Sequence, residues 1–415
     1  MKKLALAVSM AALFCTTAVM AQDSNLAKLG AFKTTGTPMM VPIPQTGENA
    51  EAIKATLAKI KVPAGFKISL YAIVPDARHM AVGPQGVVMF VGTRKENVYA
   101  VTDRNKDRVA DDVKVFAPSV KMNIPNGVCF TKDGFLYVVE QNRVLWFPAA
   151  EFFYEGPDVV AIPRVAQGAL IPVDEESYNH TARTCRIGPD NRLYITLGQP
   201  FNVPAPEKAA IYNEWGLGGV ISMNQDGSDR KVYTRGLRNP LGIDFNPKDK
   251  TMWVNDNQVD GMGDLIPPGE LNHVTGPDQN FGFPWYGGGK VRTTDYEKDK
   301  VPDGVIFPAV ERDAHAADLG LSFYNAKQFP EKYRGGIFSA QHGSWNRVNP
   351  IGARVLFTKL KDDGSVDYTE VFADGWLADN GEYLGRPVDV QVLNDGSLLV
   401  SDDLAGAIYR ISYSN

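Results

Sequence analysis

At 415 residues the chain has room for two ordinary domains or one large β domain. Hydrophobic residues make up 44% and charged residues 22%, the balance of a soluble globular protein. A net charge of -5, with no basic run longer than two residues, argues against nucleic acid or an anionic membrane surface as the main partner.

The N-terminus reads as an export signal. Lys2 and Lys3 precede an apolar run from Leu4 to Met20, and Val19-Met20-Ala21 offers small residues for cleavage before Gln22. The run is too short to anchor the chain in a membrane, so residues 1–21 are expected to be removed and the mature protein to be periplasmic or secreted. Residues 22–61 read as an extended arm rich in Pro, Thr and Gly, then a short helix with Ile53, Leu57 and Ile60 on one face and Pro63 to stop it.

From residue 62 the chain is repetitive and helical periodicity almost vanishes. Six copies of apolar strand, polar turn and apolar strand begin at Met80, Gly127, Cys185, Leu241, Leu319 and Val388. Further short strands lie between them, such as those at Arg143 and Val220. Six hairpin-centred units mean radial β repetition, and the expected fold is all-β: a six-bladed β-propeller of four-stranded antiparallel blades over residues 62–415. The alternating stretch Phe66 to Ala72 is expected to complete the blade made by the C-terminal strands.

The cysteines left after cleavage are Cys129 and Cys185. An oxidising compartment permits a bridge. Counted from their turns, however, the two lie out of phase, which on strands means opposite faces, and no bridge is expected. Their spacing fits neither haem attachment nor zinc.

Polar candidates gather where chain enters or leaves the innermost strands. His180 precedes the third copy, Arg238 and Asn239 the fourth, His315 the fifth and Arg386 the sixth. Arg94 ends the first copy and His342 the fifth. In a propeller these positions face one mouth of the central channel, so a site is expected there. No Gly-x-Ser-x-Gly, Gly-x-Gly-x-x-Gly or zinc-type histidine pair occurs. Two oxygen-rich stretches suit a hard cation: Asp103 to Asp111, half of a calcium loop, and Asn255-Asp256-Asn257 to Asp264.

Several segments together resemble the soluble sugar dehydrogenases that depend on pyrroloquinoline quinone (PQQ), the sorbosone dehydrogenase-like branch most of all. They are HTARTCRIGPDNRLYITLG, RGLRNPLGIDFNP, WVNDN with the following PPGELNHV and NFGFPWYGG, AQHGSWNR, and LGRPVDVQVLNDGSLLVSDD. The likeness runs from about residue 62 to the C-terminus. It implies a six-bladed propeller, export, PQQ and Ca²⁺. His180 matches the general base that takes the C1 hydroxyl proton as hydride passes to the quinone. Arg238 and Asn239 match the pair facing the quinone oxygens, and Arg386 an arginine on a PQQ carboxylate. His342 falls where relatives place a cationic cofactor contact, a lysine, and Arg94 is assigned to the same cofactor shell. Asp256 and Asn257 fall where backbone oxygens help hold Ca²⁺. The chain departs from the pattern after Gly198, where glucose-oxidising relatives have an aspartate and this sequence has Gln199.

The expected function is oxidation of the C1 hydroxyl of an aldose or of a hydrated (keto)aldose aldehyde, with electrons passed to a separate acceptor and neither nucleic acid nor membrane insertion involved. The alternatives are a non-catalytic propeller that binds a glycan or a partner protein, and a Ca²⁺-dependent lactonase-like propeller, for which a carboxylate-rich channel ring is not evident.

Overall fold

A computed structural model describes residues 40–414; the expected export signal lies outside these described residues. Each of the six repeats forms the inner hairpin of a blade; five blades are four-stranded antiparallel sheets, and the third adds a fifth, parallel strand, Gln279–Asn280, outside its four antiparallel ones. The inner strands are Met80–Val82, Gly127–Phe130, Cys185–Ile187, Pro240–Phe245, Asp318–Tyr324 and Pro387–Val392, opening blades one to six. Each abuts the next and the sixth abuts the first, so the protein is a six-bladed β-propeller. The hairpins turn on residues that tolerate a left-handed backbone, among them Gly134 (φ 88°) and Gly396 (φ 86°), where a side chain would be strained.

The ring closes as its sequence periodicity requires. Phe66–Ile73 pairs antiparallel with Ala407–Tyr413, in register Phe66 with Tyr413 and Ile68 with Ile411. Phe66 then inserts between blades six and five, its ring 4.7 Å from Phe329 and 5.0 Å from Phe372. Burying such a ring contributes on the order of 2–3 kcal/mol from area alone. Before this strand the helix Glu48–Leu57 buries Ala50 and Ile53 against the same cluster.

The cysteines correct the expectation drawn from strand parity. Cys129 and Cys185 form a disulfide between the inner strands of blades two and three, with Cα atoms 5.8 Å apart. Parity relative to the turn compares faces within one sheet. Two neighbouring blades stack face to face, so the residues that meet must point to opposite sides of their own sheets, and the out-of-phase count is what a bridge between blades needs.

The axis is closed. Leu241, Leu319 and Val388 pack together there with Ala182, leaving a gap of about 10 Å³. His79 and Asp389 border this gap, His79 Nε2 standing 4.0 Å from Asp389 Oδ2. A ligand therefore reaches the inner strands from a mouth and not through a pore.

Candidate active site

An antiparallel hairpin starts and ends on the same side, so residues before the first strand and after the second share one mouth. Two adjoining cavities of about 840 and 590 Å³ open there and share Arg94 and Tyr178. Each lies in the range of roughly 300–1,000 Å³ typical of small-molecule sites. The smaller one is lined by Arg94, His180 and Arg238, with Tyr178 and Trp345 on its wall. These two aromatic side chains are 95% and 76% exposed, an arrangement that leaves broad apolar faces at the opening.

His180 is held for proton transfer. Its backbone is left-handed (φ 51°), and its Nδ1 meets the carbonyl of Gln199 at 2.5 Å. A carbonyl only accepts, so Nδ1 carries the proton and Nε2, which has no protein hydrogen bond among the described residues, keeps its lone pair. Burial, then the like charge of Arg238, push this imidazole down to about 3, and Arg183 and Arg94 add to the effect. The ring is thus neutral at physiological pH. Gln199 is itself fixed, its N–H on the carbonyl of Arg238 (3.1 Å) and its side chain on the backbone of Phe201 (2.9 Å). Where relatives are expected to use an aspartate, a peptide carbonyl orients the base. Gly198 makes room for it, since a Cβ there would stand 2.4 Å from Asn239 Oδ1 and 2.9 Å from His180 Cβ.

Arg238 is buried and largely committed. Its Nε donates to Asn202 O (3.0 Å), and its Nη2 to Asn202 Oδ1 (2.8 Å) and to Asp260 Oδ2 (2.7 Å). Its Nη1 donates to Asn257 O at 3.3 Å. Of five guanidinium N–H groups, one is left for a ligand. Arg94 differs. Its backbone N–H is taken by Asp76, but its guanidinium has no protein acceptor among the described residues and lines both cavities.

His342 and Arg386 do not line these cavities. Arg386 braces the turn after the fifth hairpin through His342 O (3.0 Å) and Gly343 O (2.5 Å), its guanidinium 4.8 Å from the Tyr383 ring centre. His342 Nε2 donates to Asp403 Oδ1 (2.8 Å), whose other oxygen pairs with Arg78. Burial would raise the Asp403 carboxyl, but His342 and Arg78 more than offset it and hold it well below the usual range. Asp403 lines the larger cavity, so this group meets the site through that carboxylate.

The Asp256 carboxylate is an anchor. Its two carboxylate oxygens accept the N–H groups of Arg238 (2.8 Å) and Asn239 (2.7 Å), which sets the corner before the fourth blade. Asn257 spends its amide on Asn239 O (3.1 Å) and Asp318 O (3.0 Å), and its own carbonyl faces Arg238. His315 likewise pins loops, through Gly263 O (2.8 Å) and Gln258 (3.0 Å). In the Asp103–Asp111 loop the carboxylates cap backbone N–H groups, including that of Arg108 (3.2 Å). Among the described residues no three His, Cys, Asp or Glu side chains gather as a metal site.

The mouth nonetheless fits an anionic, oxygen-rich cofactor. Arg94 and Lys95 offer cations to the larger cavity, while Asn239 Oδ1, Thr181 Oγ1 and Asn346 Oδ1 are buried without partners. Buried polar atoms are rarely left unsatisfied without a ligand or water. Unpartnered amide oxygens also suit a hard cation, which accepts neutral oxygen donors.

Sequence reasoning missed Arg78, Asn202, Asp260 and Asp403. One signal was available. Arg78, Arg183 and Arg238 each stand two residues before an inner strand, at Met80, Cys185 and Pro240, so aligning the repeats exposes the arginine positions together.

The chain is 29% identical over 375 residues to an uncharacterised protein of Borreliella burgdorferi, covering 88% of this chain and 93% of that one. It is 28% identical over 205 residues to the aldose sugar dehydrogenase YliI of Escherichia coli, covering 46% and 47%. Its fold is similar to the holo form of the pyranose dehydrogenase PQQ domain from Coprinopsis cinerea, with a TM-score of 0.67, 17% identity and coverage of 85% and 97%. The description of the glucose/sorbosone dehydrogenase family matches residues 171–410, which is more than half of the sequence. The chain belongs to the glucose/sorbosone dehydrogenase family.

Proposed function

We propose that the protein is an exported PQQ- and Ca²⁺-dependent dehydrogenase that oxidises the C1 hydroxyl of an aldose or of a hydrated (keto)aldose aldehyde. Family membership supports a sugar oxidoreductase. The observation that carries the finer reading is His180, a neutral imidazole with Nδ1 locked on a peptide carbonyl and Nε2 bare in a cavity it shares with Arg238 and Arg94.

PQQ, when bound, supplies the two-electron acceptor for the C1 hydride. Arg94 and Lys95 would neutralise its carboxylates, and the remaining N–H of Arg238 would face a quinone oxygen. Asn346 Oδ1, on the wall of the smaller cavity, and the unpartnered Asn239 Oδ1 would offer oxygens to Ca²⁺. Nε2 of His180 takes the hydroxyl proton as the C1 hydride departs, so the C1–OH carbon becomes a carbonyl and the imidazole becomes cationic. Gln199 O stabilises that cation through the Nδ1 proton and prevents the ring from turning. Tyr178 and Trp345 offer apolar faces to a sugar ring.

The test is to reconstitute purified protein with PQQ and CaCl₂ and follow dye reduction across a panel of sugars and aldehydes. A change in the PQQ spectrum together with turnover on at least one aldose or aldehyde is expected. No spectral change and no turnover on any of them would overturn the reading. PQQ or glycan binding without turnover, unaffected by His180→Ala, would instead mark a binding propeller.

A further inference from the structure

Three loops of consecutive blades meet over the mouth, each joining the second strand of its blade to the third. They carry Asn202 of blade three, Asp260 of blade four and Asn346 of blade five. Asp260 joins them all. Its Oδ2 accepts from Arg238 Nη2 (2.7 Å), and its Oδ1 accepts from Asn346 Nδ2 (2.7 Å). Its N–H donates to Asn202 Oδ1 (2.8 Å), while its carbonyl accepts from Asn202 Nδ2 (3.0 Å). Every hydrogen-bonding atom of the residue is therefore engaged, on Arg238, on Asn346 and twice on Asn202. The chain then turns through Gly261 (φ 83°) and Gly263 (φ 95°), and four residues on Asp264 accepts the N–H groups of Val348 (3.1 Å) and Asn349 (3.3 Å).

We propose that Asp260 is a positioning residue of the candidate site, holding the Arg238 guanidinium beside His180 and locking the Trp345 loop to the cavity wall. A buried guanidinium needs a counter-charge to stay put, and among the described residues Asp260 is the one carboxylate that its side chain touches. Trp345 is 76% exposed, and the bond on its neighbour Asn346 is the one by which Asp260 holds this loop, beside those of Asp264 to Val348 and Asn349. One carboxylate thus couples the group expected to face the reacting oxygens to the aromatic wall expected to face the substrate. The kinetic part rests on the sugar dehydrogenase reading.

Two variants separate the links. Asn346→Ala removes the loop's bond to Asp260, along with a 3.3 Å contact to His315 Nδ1, and leaves the Asp260–Arg238 pair in place. Asp260→Asn can accept from Arg238 or from Asn346 through its one oxygen but not from both in the same way, and it removes the counter-charge. In protein without cofactor or sugar, amide exchange over residues 344–349 is expected to quicken about tenfold in both variants, as loss of one hydrogen bond to a charged group implies. The side-chain ¹⁵N signals of His180 are expected to move in Asp260→Asn and stay in Asn346→Ala. With PQQ, Ca²⁺ and an aldose, Asp260→Asn should lower kcat by about 10- to 100-fold.

Wild-type exchange rates over residues 344–349 in both variants would overturn the loop lock. Unmoved His180 signals in a folded Asp260→Asn protein would overturn the positioning of Arg238. Should the wild-type protein oxidise no sugar while exchange and His180 signals respond as stated, the positioning role stands and the proposed activity alone fails.

Discussion

The protonation of His180 can be tested without substrate or cofactor. An ordinary histidine at pH 5 is about 97% protonated, whereas one pushed down to about 3 is about 1% protonated. The perturbation is therefore acidification from pH 7 to pH 5, on protein labelled with ¹⁵N-histidine. The five histidines are few enough to assign by subtracting the spectrum of a His180→Ala variant. A neutral Nδ1–H tautomer should persist at pH 5, because the Gln199 carbonyl accepts that proton and burial beside Arg238 disfavours a second one. The folded value lies below the unfolded one, so the unfolded chain takes up a proton as pH falls through about 6.5 while the folded one does not. This residue's contribution to stability is thus present above about 6.5 and lost progressively down to about 3. In the reconstituted enzyme His180→Ala should lower kcat by about 10²- to 10⁴-fold, the range for loss of a general base. A protonated His180 at pH 5, or the Nε2–H tautomer, would refute the assignment of Nε2 as the proton acceptor.

Arg94→Gln should weaken PQQ binding by about 10- to 100-fold, read by fluorescence titration, with an unchanged melting temperature, because its guanidinium contacts no protein acceptor among the described residues. Replacing Cys129 and Cys185 by serine should cost about 4 kcal/mol in urea unfolding, the loop-closure term for a separation of 56 residues, and a reducing agent should destabilise the wild type alone. Asp389→Asn should stabilise the protein at pH 8 by up to about 3 kcal/mol and have little effect at pH 4. Burial raises this carboxyl to about 6, so its favourable contribution is present below about 3.8 and lost as pH rises through about 6. Equal shifts in melting temperature at the two pH values would count against that burial cost.

The architecture was legible because it is written in local signals. Each of the six repeats contains its own turn and its own alternating strands, and the order of strands in a blade follows from chain order. The strand Phe66–Ile73 could be placed beside the C-terminus for the same reason, since it supplies the fourth strand that the last blade lacks. The mouth followed from hairpin geometry, and with it the placing of His180, Arg238 and Arg94 on one cavity.

What a side chain does once it reaches the mouth was not legible. The resemblance places backbone oxygens of Asp256 and Asn257 near Ca²⁺, but nothing in the sequence showed that the Asp256 carboxylate would cap the N–H groups of Arg238 and Asn239. The resemblance assigns Arg386 and His342 to the cofactor; their partners within the protein, the turn after the fifth hairpin and Asp403, were not legible. These outcomes depend on hydrogen-bond competition among groups far apart in the chain, which no local pattern encodes.

The amino-acid sequence by itself determined the number of blades, their closure and the end of the ring where polar residues collect, since each is a property of one repeat or of its neighbours. The tertiary structure alone decided that Cys129 meets Cys185 across two sheets, that a peptide carbonyl orients His180, and that Asp260 ties three blades to Arg238. The reason is that stacking direction and the choice of hydrogen-bond partner are set by loops that fold together only in the ring, joining residues 19 to 86 positions apart.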